Sequence, residues 1–327
     1  MSRIAGPVQA VFLDTPAGFE LNAEQISVRA VEYFRQHLNL DLTVTTFKSA
    51  VAATPDKVDN ALRRLRWANY IFAGPGSPTY TVRNWQDTAI MKAMSQRLAT
   101  GAHLVFASAA AIAVGRYALP VYEIYKVGED PHWVDGLNLL EPYGLDLAIV
   151  PHWNNAEGAT HDTRYCFVGE PRMKVLEKSL PNSTTILGID EYTACTVDLS
   201  GNECLVMGAG QVTIRQQGHD DRIWPAGTSF ALGELKGARP PKEPQAYSDV
   251  AVSTHPADWI DWPDALESST QNMDSLIELL VSVRTRLRDA GQWALADEIR
   301  QRLSELGIIL EDDRTETVWR RTWCGEG

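Results

Sequence analysis

His103-Leu104-Val105-Phe106-Ala107-Ser108-Ala109-Ala110-Ala111-Ile112-Ala113-Val114-Gly115 reads as a strand, a turn and the start of a helix. His103 to Ala107 is an apolar run too short for a helix, so it is a buried strand. From Ala109 the run is alanine-rich, the composition that favours a helix most. Ser108 falls at the junction. A side chain at a strand-turn-helix junction stands at the carboxyl edge of the sheet, beside the free N–H groups of the next helix. That placement offers a nucleophile next to ready donors for a developing negative charge, and the small neighbours Ala107, Ala109 and Ala110 let the turn close. The same residues also fit a plainer account, in which Ser108 is only the N-cap of a core helix.

Working outward, the flanking sequence repeats the strand-helix pattern. Val8–Leu13 is a strand, Thr15–Gly18 a loop, and 23–38 a helix with Ile26, Ala30, Phe34 and Leu38 on one face. Leu42–Phe47 is β-branched and alternating, a second strand. A basic helix spans 56–67, Tyr70–Ala73 is a third strand, and a long helix covers 80–98. Strands alternating with helices give an α/β fold, a mostly parallel sheet covered on both faces. Ligands then bind at the carboxyl ends of the strands. Two such ends stand out: Ser108, and Gly74-Pro75-Gly76-Ser77, whose glycines allow a backbone to approach a ligand.

Further along, Leu145–Val150 is a core strand ending in Pro151-His152-Trp153-Asn154-Asn155, where His152 suits either a general base or a structural imidazole. Thr184–Ile189 is another strand, running into Asp190-Glu191. Cys195–Leu199, Glu203–Met207 and Gln211–Gln217 are short strands with Gly turns, antiparallel hairpins added to the sheet. These elements define a domain at 1–235. Residues 236–269 are a Pro-rich linker or strap, with Trp259 and Trp262 as anchors. Residues 270–327 form a small helical hairpin, one stripe carrying Leu276, Leu280, Val283 and Leu287 and the other Ala296, Ile299, Leu303 and Leu306. A β-ribbon follows, from Ile308–Leu310 and Thr317–Trp319.

The composition narrows the classes. With 327 residues and a net charge of −12, the chain is long enough for a large core and is wrong in sign for a general nucleic-acid or anionic-membrane binder. No apolar run is long enough to span a membrane, and Met1 to Pro7 is not a signal peptide. Four scattered cysteines without a CxxC pair suggest neither zinc nor disulfides, and place the protein in the cytoplasm with reduced thiols. Nothing in the pattern calls for a metal or an organic cofactor.

Ser108, His152 and a carboxylate make up a nucleophile, a base and an orienting acid. The stretch PHWNNAEGATHDTRYCFVGEPRM, from Pro151, resembles the segment of the dipeptidase E and cyanophycinase family that carries its catalytic histidine. LGIDEYTACTVDLSGNECLVMGAGQVTI resembles the same family's Gly-Ile-Asp-Glu-x-Thr-Ala segment and hairpins, and Gly74-Pro75-Gly76-Ser77 matches its Gly-rich loop after strand three. The resemblance covers roughly residues 5–232. It implies a flavodoxin-like fold related to the class I glutamine amidotransferases, with serine in place of cysteine. It implies Ser108 as nucleophile and His152 as general base. Glu191 matches the third member in the cyanophycinase-like branch, and Glu123 lies where the dipeptidase branch places an acid. The oxyanion hole would take the N–H of Ala109 and one from Gly74 or Gly76. Asn154, Asn155 and Arg164 are candidate substrate-binding residues.

Two features depart from that family. Its elbow reads Gly-x-Ser-Ala-Gly, whereas this chain has Phe106 and Ala110 at the glycine positions. The basic residues that the cyanophycinase branch places after its histidine are not reproduced, Arg164 and Arg172 being the nearest, so acidic-peptide specificity does not carry over. The tail is similar to something else. LADEIRQRLSELGIILEDDRTETVWRR resembles the C-terminal segment of cysteinyl-tRNA synthetases, whose catalytic region has no counterpart here. Eight arginines, no lysine and eleven acids leave 270–327 at −3, which suits docking or homo-oligomerisation better than tRNA binding. Two readings follow: a serine hydrolase acting on a small peptide or amide, or a catalytically degenerate amidotransferase-like protein whose tail recruits tRNA or a translation partner.

Overall fold

The computed structural model describes residues 4, 6–158, 160–237, 292–305, 308–312 and 317–321, with scattered positions between 277 and 288. The first half is built from β1 (Ala10–Leu13), α1 (Ala23–Leu38), β2 (Leu42–Thr45), α2 (Pro55–Trp67), β3 (Tyr70–Ala73), α3 (Pro78–Trp85), α4 (Ala89–Ala99), β4 (His103–Phe106) and the short α5 (Ala109–Ala113). Its four strands pair in the order β2-β1-β3-β4, all parallel, as right-handed strand-helix-strand units dictate. Ala10, Phe12, Phe34 and Leu42 form the core under α1. That helix buries Ala23, Ser27 and Phe34, while Leu38 at its end is exposed, so the apolar stripe is shorter than its spacing suggests.

The long helix expected over 80–98 is two helices. Asp87 takes a left-handed backbone, and Thr88 caps the second helix by accepting from Met91 N–H while donating to the Trp85 carbonyl. A capping threonine offers the backbone this stop and restart, and Trp85, the last residue of the first helix, is fully buried. The loop expected at Thr15–Gly18 closes as a 3-10 turn over Thr15–Ala17.

The second half adds β5 (Tyr117–Ala118), a π-helical turn at Glu123–Val127, β6 (Val134–Asp135), β7 (Leu147–Val150), α6 (Gly169–Ser179), β8 (Thr185–Ile189), β9 (Thr193–Asp198), β10 (Glu203–Gly208), β11 (Gln211–Gln216), β12 (Arg222–Pro225) and β13 (Ser229–Ala231). Six of these strands pair in the order β12-β11-β8-β7-β5-β6, parallel from β5 through β8 and antiparallel outside. The fold is α/β and mostly parallel at its centre, with antiparallel additions, as expected. The hairpins are placed differently from the sequence reading. β11 and β12 extend the central sheet, whereas β9 and β10 join β13 in a separate three-stranded sheet. The strand after Glu191 therefore leaves the main sheet at that residue.

The chain divides into two units, Met1–Asp249 and Val250–Gly327. In the second, α7 (Trp293–Glu305) packs with the antiparallel pair β14 (Ile308–Asp312) and β15 (Thr317–Arg321). Ile277, Val281, Leu303, Ile308 and Leu310 form its core, and the described positions from 277 to 288 are helical, so the hairpin and ribbon are both present. The linker with Trp259 and Trp262 lies outside the described residues.

Candidate active site

Three strand ends build the site. β4 ends at Phe106, and Ser108 follows with φ 53° and ψ −118°, a backbone few residues other than glycine adopt. The N-cap account of Ser108 fails on its hydrogen bonds, because its side chain caps nothing in α5. Its Oγ instead lies 3.1 Å from Nε2 of His152. The elbow forms without its glycines. Ala110 is fully buried and its N–H reaches the Gly74 carbonyl, while Phe106 packs near the Trp85 ring. Such a strained position is held at about 1–3 kcal/mol only where its surroundings over-determine it.

β7 ends at Val150, and His152 two residues on is again left-handed, with φ 52°. Its carbonyl accepts from Asn155 N–H and Cys166 N–H, which fixes the ring against the sheet edge. Trp153 lies against Gly188 of β8 so closely that a Cβ on Gly188 would overlap the indole. β8 then delivers Glu191, whose Oε1 lies 3.1 Å from His152 Nδ1. The carboxylate accepts the ring's Nδ1–H, which leaves Nε2 free to face Ser108. Asn155 donates to the same Glu191 oxygen at 2.8 Å, and Glu191 N–H donates to Asn154 Oδ1 at 2.8 Å. The Asn155 amide, more than the imidazole, holds the Glu191 carboxyl below its ordinary range against the opposing effect of burial.

A cavity of about 340 Å³ opens over Ser108. Gly76 and Ala109 line it beside the hydroxyl, so of the two glycines considered as oxyanion donors it is Gly76 that borders the cavity, and Gly74 does not. The remaining wall is mainly apolar and aromatic, with Ile112, Val121, Tyr122, Tyr125 and Phe167, and carries Lys126 and Glu157 as charged groups. Tyr125 and Phe167 face each other with ring centres 5.5 Å apart. Tyr165, Cys166 and Phe167 are consecutive left-handed residues, which carries Cys166 and Phe167 to the wall. Burial pushes the Cys166 thiol up to about 12.

The candidate substrate-binding residues Asn154, Asn155 and Arg164 lie outside the cavity wall. Asn154 and Asn155 brace Glu191 and are not part of the cavity wall. Arg164 grips Asp162 through Nε and a terminal nitrogen, each at 2.9 Å, and is likewise absent from the wall. Glu123, the alternative acid, accepts from Thr79 at 2.7 Å, whereas both His152 nitrogens are engaged by Ser108 and Glu191. The sequence reading missed the aromatic wall. Its only signal was Tyr122, Tyr125 and Lys126 in a segment whose π-helical turn no periodicity announces. Among the described residues no three His, Cys, Asp or Glu side chains stand together as a metal site, and no helix is long and apolar enough to cross a membrane.

The model of peptidase family S51 matches residues 23–204, more than half of the chain. The chain belongs to peptidase family S51. Its fold is similar to that of a peptidase from an acI-B1 Actinobacterium, with a TM-score of 0.55 and 18% identity over 68% of this chain and 82% of that one. A short segment matches another class of protein. It is 47% identical over 55 residues to the cysteine–tRNA ligase of Pyrococcus horikoshii and 56% over 48 residues to that of Pyrococcus abyssi. The chain spans about an eighth or less of those ligases' length. These short matches fit the C-terminal resemblance seen in the S51 chain's sequence.

Proposed function

We propose that the protein is a serine peptidase acting on short peptides, with Ser108 as nucleophile, His152 as general base and acid, and Glu191 as the orienting carboxylate. The observation that carries this reading is the continuous chain from Ser108 Oγ through both His152 nitrogens to Glu191, with each link at 3.1 Å. His152 Nε2 takes the hydroxyl proton as Oγ attacks the peptide carbonyl. The oxyanion forms against the N–H groups of Ala109 and Gly76, donors whose single loss typically costs about 10²–10³ in rate. His152 then protonates the leaving amine, and water hydrolyses the ester by the same steps in reverse. The strained Ser108 backbone supports this role, since it aims the side chain away from its own helix. The cavity suits a peptide of a few residues with an apolar or aromatic side chain near the scissile bond. The free thiols Cys166, Cys195 and Cys204 fit a reducing compartment such as the cytoplasm.

The test is fluorophosphonate labelling of wild type beside Ser108→Ala, followed by a short-peptide library. Labelling and hydrolysis that both vanish in Ser108→Ala support the reading. Equal labelling of the variant removes it.

A second reading concerns the tail. Its likeness to cysteine–tRNA ligases favours a docking module for tRNA or a translation partner alongside the peptidase unit. tRNA retention at low salt that disappears when 270–327 are deleted supports this, and no retention by the full chain rules out the tRNA version.

A further inference from the structure

Glu123 has no part in the Ser108–His152–Glu191 chain, yet it is not a free surface acid. It opens the π-helical turn Glu123–Val127, from which Tyr125 and Lys126 line the cavity. Its Oε1 accepts from the Thr79 hydroxyl at 2.7 Å. Thr79 Oγ1 in turn lies 3.0 Å from Ser77 Oγ. The carboxylate can only accept, so the polarity is set: Ser77 O–H donates to Thr79, and Thr79 O–H donates to Glu123. Ser77 Oγ is then free to accept the Tyr80 N–H, which caps α3. Ser77 N–H donates to the Pro16 carbonyl at 3.0 Å. The residue before it is Gly76, at φ 151° and packed so tightly on Pro16 that a Cβ there would fall inside that carbonyl. The other Glu123 oxygen is buried and finds no partner among the described residues, a placement that costs stability. The one hydrogen bond that the Glu123 side chain makes is thus directed, through Thr79 and Ser77, into the Gly76 turn.

We propose that Glu123 is a positioning residue, which through Thr79 and Ser77 fixes the Gly76 turn as the second oxyanion donor beside Ser108. The inference rests on the serine-peptidase reading of the site. What the chain needs from Glu123 is a hydrogen-bond acceptor at Oε1, not a negative charge, and this separates it from an orienting acid. A displaced donor loses most of its value to the developing charge, and Thr79→Val cuts the relay without touching the turn that carries Tyr125 and Lys126.

The experiment uses the full chain and a fluorophosphonate probe, whose phosphonyl oxygen enters the oxyanion site, and separates kinact from KI across pH. Thr79→Val and Glu123→Ala are each expected to lower kinact by about 10- to 100-fold, with KI nearly unchanged in Thr79→Val. The double variant should be no slower than either single one, because one chain has been cut twice. Glu123→Gln keeps an acceptor and Thr79→Ser keeps the hydroxyl, so both should restore kinact to within a few-fold of wild type, with the pH profile unmoved. Glu191→Gln should not be restored in this way. A Glu123→Gln variant as slow as Glu123→Ala, with a displaced pH profile, would overturn the proposal in favour of an electrostatic role. Thr79→Val at the wild-type rate would overturn it outright. A wild type unreactive at Ser108 removes the reading of the site and this inference together, whereas a reactive wild type with indifferent variants removes the inference alone.

Discussion

Asn155 donates its side-chain amide to the same Glu191 oxygen that meets Nδ1 of His152, at 2.8 Å against 3.1 Å. It is 1% exposed, and its own oxygen accepts from Glu157 N–H. The carboxylate is thus fixed from both sides before it orients the imidazole. Asn155→Ala should lower kcat/KM by about tenfold or more, the loss expected when a supporting shell is removed. The amide also holds the Glu191 carboxyl below its ordinary 4.5. A depressed acid stabilises the fold above its ordinary pKa and loses that contribution as pH falls. The difference in Tm between wild type and Asn155→Ala should therefore be largest at neutral pH and shrink below about pH 4.5. A difference independent of pH would count against the ionised pair.

Gly76 is irreplaceable on steric grounds. A Cβ there meets the Pro16 carbonyl and the Ala17 nitrogen, backbone atoms that have no rotamer to move. Gly76→Ala should destabilise by about 2–4 kcal/mol and abolish Ser108 labelling even in the fraction that remains folded. Denaturant unfolding and labelling on the same sample measure both.

The Cys166 thiol stands in the cavity wall, but burial pushes it up to about 12. Almost none of it is thiolate at pH 7.5, and the thiolate is the reactive form. Iodoacetamide should leave Cys166 unmodified in the folded protein and Ser108 labelling intact, as peptide mapping can show. Rapid modification of Cys166 in the folded protein would show that burial does not suppress its thiolate.

Asp162 ties the loop before α6 together. It binds the Arg164 guanidinium at two points and accepts the Glu170 N–H at the start of α6. The guanidinium first, and that N–H second, hold its carboxyl well below its ordinary 3.8. Its contribution is complete above pH 3.8 and declines as pH falls further. Asp162→Asn should cost about 1 kcal/mol at pH 7, and the gap should close below pH 3.8. Chemical denaturation at pH 7 and pH 3 checks the sign.

Sequence alone determined the alternation of strands and helices, because apolar periodicity is a local property that burial enforces. It also placed Ser108, His152 and Glu191 at strand ends, because each follows a short apolar run that can only be a core strand. It could not fix the break at Asp87, where a left-handed backbone and the cap at Thr88 interrupt a helical pattern. It could not assign Asn154, Asn155 and Arg164 either. Their residue types suit substrate binding as well as bracing, and only the packed loop shows that their hydrogen bonds close on Glu191 and Asp162. The choice between Glu191 and Glu123 was likewise beyond composition. Both are acids at plausible spacings, and only the assembled fold shows Glu191 on the imidazole and Glu123 on Thr79. Local pattern determines which residues reach the sheet edge, since side-chain burial is decided within a few residues. Which of them meet is decided by long-range pairing, and a distance of 3 Å between residues 44 or 39 positions apart exists only after the strands have assembled.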